Sequence, residues 1–267
     1  MSPPTHSRLG DFFAALGRPF VRGARMGREL GALTRETLGA IARGRFQWRQ
    51  VIAQADAIGT RSVPFIATTL GVLGFISVWQ VATQVSQILP DFSMVGAAFI
   101  QMMVREFAPT ITGLMVATRV GSGIAAELGS MVVTEQVDAL RMCNADPVAW
   151  LVAPRTLACA VMLVMLTVIG TIFATVCGLL IGESGFAIPP QTFLSFQLTG
   201  INDVMVGLVK TLGYGLAIPI IACHAGLTTT GGSAGVGWAT TRAVVNTSFA
   251  VIVIDFIVSG LAFVVGA

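Results

Sequence analysis

Residues 151–182 read LVAPRTLACAVMLVMLTVIGTIFATVCGLLIG, with Arg155 the one charged side chain in the run. About 20 predominantly apolar residues suffice to cross the ~30 Å hydrocarbon core of a bilayer as a helix, which satisfies its backbone N–H and C=O groups internally. Four further stretches, at about 62–86, 92–128, 201–227 and 241–266, are long enough by the same measure. The sequence therefore points to an all-α integral membrane protein with five transmembrane helices. Composition agrees: 54% of the 267 residues are hydrophobic and 11% are charged, against about 25% charged in an ordinary soluble domain. The mean hydropathy is +0.82. A water-soluble fold and a disordered chain are both excluded. The net charge of +3 is small and scattered, which argues against nucleic-acid binding.

The second stretch is too long for one perpendicular crossing. Its 37 positions, read from 92 to 128, correspond to roughly 55 Å of helix against about 30 Å of hydrocarbon. It is expected to tilt, to break near Pro109, or to project beyond the bilayer.

Orientation follows from the basic residues. Arg8, Arg18, Arg22, Arg25, Arg28, Arg35, Arg43, Arg45, Arg49 and Arg61 are ten of the sixteen Lys and Arg residues, all within the first 61 positions. The positive-inside rule makes the amino terminus cytoplasmic. The connections at 87–91 and 183–200 then lie outside, and neither holds Lys or Arg. Those at 129–150 and 228–240 lie inside, and the carboxyl terminus is outside. No apolar h-region follows the basic start, so the first span is expected to be retained rather than cleaved.

Residues 1–61 are read as a basic cytoplasmic and interfacial region, and 62–267 as the membrane domain. Within the former, Leu9, Phe12, Phe13, Leu16 and Phe20 recur at helical spacing opposite Arg18, Arg22 and Arg25. That pattern predicts an amphipathic helix over 8–28 lying in the membrane interface, kinked or restarted at Pro19. Pro189 and Pro190 open a short outer segment, Gln191 to Leu198, with the character of an interfacial helix.

Several motifs carry no chemistry. Gly121, Gly123 and Ala126 match a dinucleotide-binding pattern, yet no strand precedes them. Gly232 to Gly237 has the glycine spacing of a phosphate loop, but Trp238 and Ala239 stand where Lys and Ser or Thr are required. His6 and His224 are the two histidines, too few for a metal cluster, and the four cysteines lack ligand spacing. The Gly178–Gly182 pair, like Gly71, Gly74, Gly121 and Ala125, reads as close helix packing.

Ionisable residues inside spans are a stronger signal, because each costs several kcal/mol unless paired or hydrated. They are Arg105, Glu106, Arg119, Lys210 and Asp255. Glu106, Lys210 and Asp255 fall roughly 14–21 Å from the outer ends of their spans at about 1.5 Å per residue. Three helices thus place charge in one layer. A Glu106–Lys210 pair with Arg105 beside it would line a hydrated or head-group-binding cavity, or form a structural bridge between helices. Asp255 would pair with Arg119 or with another basic group. The same layer suits a channel or proton-coupled secondary transporter relaying through Glu106, Lys210 and Asp255, although no internal repeat supports that class.

The inside loop carries one more element. Val133, Val137 and Leu140 have the spacing of a short amphipathic helix over about 133–142, with Thr134 as a candidate cap and Asp146-Pro147 ending the segment. A compact charged helix on the cytoplasmic side suits docking by a partner as well as a plain surface connection.

An ordered series of motifs resembles the MlaE/YrbE permeases, the membrane subunits of ABC lipid transporters that work with MCE proteins. It runs Arg105-Glu106-Phe107-Ala108-Pro109, then Arg119-Val120-Gly121-Ser122-Gly123 through Glu127 to Met131, then Thr134-Glu135-Gln136 with Asp138-Ala139-Leu140, Asp146-Pro147 and Pro154-Arg155. Ala234 to Arg242 followed by Asp255-Phe256 is similar too, so the likeness covers about residues 50–265. It implies a homodimeric permease in the bacterial inner membrane, with separate ABC ATPase subunits below and a hexameric ring of MCE subunits outside. A STAS-domain subunit is compatible with this arrangement. Phospholipid or a related lipid is the implied cargo. No cofactor is implied for this chain, since ATP and magnesium belong to the ATPase. The resemblance also assigns roles: Arg105, Glu106 and Lys210 to head-group binding or gating, and Glu135, Gln136, Asp138, Ala139 and Leu140 to ATPase coupling. Phe75 and Trp79 are candidates for the cavity face of the first span. Arg119, Glu127, Arg242 and Asp255 are left as charges of structural or unassigned role.

Overall fold

The computed structural model describes residues 8–44, 46–87 and 92–266. It is helical throughout, with no strand among the described residues. In chain order the helices are α1 (Arg8–Ala42), α2 (Trp48–Gly59), α3 (Val63–Ser86), α4 (Ser93–Met102), α5 (Ala108–Val133), α6 (Gln136–Met142), α7 (Ala153–Phe186), α8 (Pro190–Phe193), α9 (Ile201–Leu227) and α10 (Gly232–Val265). One-turn π segments, Met103–Phe107 and Val148–Val152, lead directly into α5 and α7.

Four helical stretches are long and apolar enough to cross a membrane: Trp48–Ser86, Val148–Phe186, Ile201–Leu227 and Gly232–Val265. The remaining expected crossing, α4 through α5, is not among them; Arg105, Glu106, Arg119 and Glu127 lie along it. It is nevertheless central, since α5 packs along both α9 and α10 and also meets α7. α3 packs on α7, and α2 joins it there. α10 is the least buried of these four stretches, with 11% of its most apolar part buried.

Polar side chains within the spans are satisfied locally. Thr156, Thr167, Thr171 and Thr175 of α7 donate to the carbonyls four residues back, at 2.8–2.9 Å. These bonds satisfy the hydroxyls within the helix itself, which keeps its threonines compatible with an apolar surround. Close helix approach depends on missing side chains: a Cβ on Gly74 would overlap the Ala174 carbonyl, so α3 and α7 touch backbone to backbone. Gly178 and Gly182 serve the same end inside the chain, against Val78, Phe99 and Phe193.

Several local expectations are revised. α1 runs from Arg8 to Ala42 without a break at Pro19, well beyond 8–28. The side chains of Leu9, Phe12, Phe13, Leu16 and Phe20, which carry its expected apolar face, lie outside the described residues. So do residues 88–91 of the expected outer connection. α8 is a single turn that ends at Phe193, because Phe193 is buried in the core while Ser195 to Gly200 bend back toward α9. α10 starts at Gly232, nine residues before the apolar stretch, after glycines with φ of +92° and +69° at 231 and 232. Thr134 does not cap α6: its hydroxyl donates to the Ser130 carbonyl at 2.9 Å, and Glu135, at φ +59°, makes the sharp corner. Asp146 accepts the Val148 N–H at 3.0 Å and so starts the helix leading into α7.

One face of the bundle collects α1, the corner before α6 and the α9–α10 turn. His224 near the end of α9 lies 3.3 Å from Glu29 of α1, and Gly129 of α5 packs on Thr229.

Candidate functional site

Pro109 has no N–H to offer the preceding turn, so the helix entering it widens. In the Met103–Phe107 segment the ladder shifts by one residue, and Ala108 N–H bonds the Met103 carbonyl. Such π-turns recur at functional sites because they re-aim consecutive side chains. Here the turn carries Arg105 and Glu106, and Gly207 of α9 packs against it so closely that a Cβ would overlap the Val104 carbonyl.

Around that turn the chain assembles an ionic cluster from three helices. Lys210 of α9, fully buried, bonds Oε2 of Glu106 and lies 3.0 Å from Oδ1 of Asp255 on α10. The same Asp255 oxygen accepts the hydroxyls of Thr110 at 2.9 Å and Tyr214 at 2.7 Å. Ser259 of α10 stands 3.3–3.4 Å from both oxygens of Glu106. Arg105 reaches Glu106 at 3.7 Å and bonds Oδ1 of Asp203 at 2.8 Å. Asp203 also accepts the Gly200 N–H at 3.0 Å and the Gln101 amide at 3.3 Å, which ties the start of α9 to α4. Lys210 and Asp203 are buried, so either charge left without its partners would cost several kcal/mol.

Of the residues expected to work together, the structure unites Arg105, Glu106, Lys210 and Asp255. Asp255 pairs with Lys210, not with Arg119. Arg119 instead donates to Ser62 at 2.6 Å, joining α5 to the α2–α3 turn. Glu127 binds Arg155 at 2.7 Å on the face nearer α6. Arg242 donates to the Ala225 carbonyl at 3.2 Å and to Thr228 at 3.0 Å, closing the end of α9 beside a cavity of about 510 Å³. Phe75 and Trp79 are about half exposed on α3; Trp79 stacks edge-on against Phe186 at 5.6 Å. On α6, Val137 is buried while Glu135, Gln136, Asp138 and Ala139 are exposed and Leu140 is half-buried; Asp138 pairs with Arg141 at 2.9 Å.

The sequence reading missed Asp203, Gln101, Thr110, Tyr214 and Ser259. Tyr214 had a signal, as the one tyrosine in the chain, set in an apolar span. Asp203 sits at a span end, where a carboxylate is unremarkable.

Beside the cluster runs an apolar groove of about 270 Å³ bordered by Val104, Pro109, Val168, Gly207 and Leu208. Thr211, also on its wall, donates its hydroxyl to the Gly207 carbonyl and presents its methyl.

The structure is that of a multi-pass helical membrane protein with an ionic cluster held among its helices. The chain belongs to the MlaE permease family, whose model, "Permease MlaE", matches residues 51–261. It is 39% identical over 233 residues to the "Probable ABC transporter permease protein slr1045" of Synechocystis, covering 86% of this chain and 88% of that protein. It is 35% identical over 247 residues to a "Probable ABC transporter permease protein" of Rickettsia bellii, covering 91% and 95%. The Arabidopsis thaliana protein "TRIGALACTOSYLDIACYLGLYCEROL 1, chloroplastic" is 31% identical over 225 residues, covering 84% of this chain and 64% of that protein.

Proposed function

We propose that this chain is the permease subunit of an ABC transporter that moves phospholipid or a related lipid between the inner membrane and a tunnel of MCE subunits. A separate ATPase supplies the energy. The observation that carries the reading is the ionic cluster of Arg105, Glu106, Lys210 and Asp255 beside an apolar groove, in a chain of the MlaE permease family. Polar recognition next to an apolar trough matches the two ends of a lipid. The plant relative is named for a glycerolipid, which supports a lipid cargo in general.

Five crossings with the amino terminus in the cytoplasm make α4–α5 the central span, its charges tolerated because other helices enclose it. Two copies form the working unit, and the outward apolar face of α10, with Phe249, Ile252 and Phe256 exposed, supports such a seam. α6 is the coupling helix. Closure of the ATPase pushes the two α6 helices, the long α4–α5 rods shift, and the lipid cavity at the dimer interface opens or collapses.

The test is recovery of partners. Tagged protein extracted from its native membrane is expected to bring down an ABC ATPase and an MCE protein. Recovery of neither overturns the reading, and lipid or ion movement by the isolated chain driven by a proton gradient puts a secondary transporter in its place.

A further inference from the structure

We propose that the cluster receives the ammonium group of an amine-bearing lipid head group, at Oδ2 of Asp255. The inference rests on the reading of the chain as a lipid permease and names the part of the lipid this site recognises.

Charge and donor counts lead to that atom. Among the described residues the cluster holds three carboxylates, Glu106, Asp203 and Asp255, against two cations, Arg105 and Lys210, an excess of one negative charge. Asp203 has donors on both oxygens: Arg105 on Oδ1, and Gln101 and Gly200 on Oδ2. Glu106 has Lys210 on Oε2, Arg105 near Oε1, and the Ser259 hydroxyl facing both. Asp255 differs. Thr110, Tyr214 and Lys210 all meet its Oδ1, and among the described residues no donor reaches Oδ2.

Exposure sets the sign of the surface a ligand meets. Lys210 is 0% exposed, beneath Glu106 at 36% and Asp255 at 25%. Lys210 cannot touch a phosphate, and Arg105 is engaged by Asp203 and Glu106. Arg105 is itself 24% exposed, so the outward face carries two carboxylates and one guanidinium that already serves Asp203 and Glu106. At this depth an uncompensated carboxylate is expensive. An ammonium that donates to Oδ2 makes the layer neutral and supplies a charge-assisted hydrogen bond. The phosphate of the same lipid is left to groups outside this cluster.

The full-length chain in lipid nanodiscs tests this by native mass spectrometry of the lipids it retains. The probes are phosphatidylethanolamine, its N-acetylated form, which keeps the phosphate but has no ammonium, and phosphatidylglycerol, all with matched acyl chains. The wild-type protein is expected to retain phosphatidylethanolamine about tenfold or more over the other two, and Asp255→Asn to lose that preference. Equal retention of the native and N-acetylated lipids by wild type overturns the proposal, as does a preference that survives in Asp255→Asn. If Asp255→Asn fails to assemble, the N-acetyl comparison on wild type alone decides. A sodium or potassium ion retained in place of the amine also overturns it. Retention of phospholipid without head-group preference sinks the ammonium site only, whereas failure of the wild-type protein to retain any phospholipid sinks the lipid-permease reading beneath it.

Discussion

Tyr214 donates its hydroxyl to Oδ1 of Asp255 across 2.7 Å, joining α9 to α10 from the two sides of the buried Lys210. The chain's single tyrosine is thereby part of the ionic cluster, and its ring packs against Gly113 of α5. Tyr214→Phe keeps the ring and removes the bond. The expected effect is a stability loss of about 0.5–1.5 kcal/mol, read as a lower thermal midpoint of the purified protein, with the fold intact. An unchanged midpoint would show that the hydroxyl contributes nothing.

Glu106 and Lys210 separate structural pairing from direct work on a ligand. Lys210→Leu takes the cation from both Glu106 and Asp255, a loss of about 3–5 kcal/mol for a broken buried pair, whereas Glu106→Leu leaves Lys210 its Asp255 partner and costs less. The double replacement removes one charge of each sign and is expected to recover part of the lysine variant's loss. Transport by the double variant is the deciding measurement: recovery along with stability means a purely structural bridge, and continued loss means that these charges act on the lipid.

Gly207 marks where α9 meets the π-turn. Gly207→Ala is expected to push the Val104 carbonyl away, displace Arg105 from Asp203 and lower both stability and transport. The same substitution at Gly123, where a Cβ meets nothing within 4 Å, serves as the neutral control. Equal behaviour of the two variants in a thermal-shift and transport assay would refute the claim that this contact positions the cluster.

On α6, Val137 anchors the helix while Glu135 and Asp138 face outward. Glu135→Lys combined with Asp138→Lys reverses that surface without touching the core. The expected outcome is loss of the co-purifying ATPase, with the permease still inserted and monodisperse. Retention of the ATPase would count against α6 as the coupling element.

Most of the architecture was legible in the chain, and the reason is local. Whether a segment is apolar enough for a bilayer depends on its own residues, as 151–182 shows, and so does the depth of Glu106, Lys210 and Asp255 along their helices. The basic amino-terminal segment and the motif series from Arg105 to Asp255 are equally local, which is why the family was readable before any fold. Local reading failed at the ends of elements. α8 stops at Phe193 and α10 starts at Gly232 because packing and left-handed glycines decide there, not hydropathy.

The sequence by itself determined that this protein lives in a membrane, roughly where its helices run, and which few charges lie inside them. Only the tertiary structure decided which charges meet: Arg105 with Asp203, Lys210 with both Glu106 and Asp255, and Tyr214 with Asp255. Depth along a helix is fixed by counting residues, but the direction a side chain faces, and the helix it faces, follow from how ridges and glycine notches pack between segments about a hundred residues apart. That packing hides Lys210 and Asp203 and leaves Glu106, Asp255 and Arg105 partly exposed.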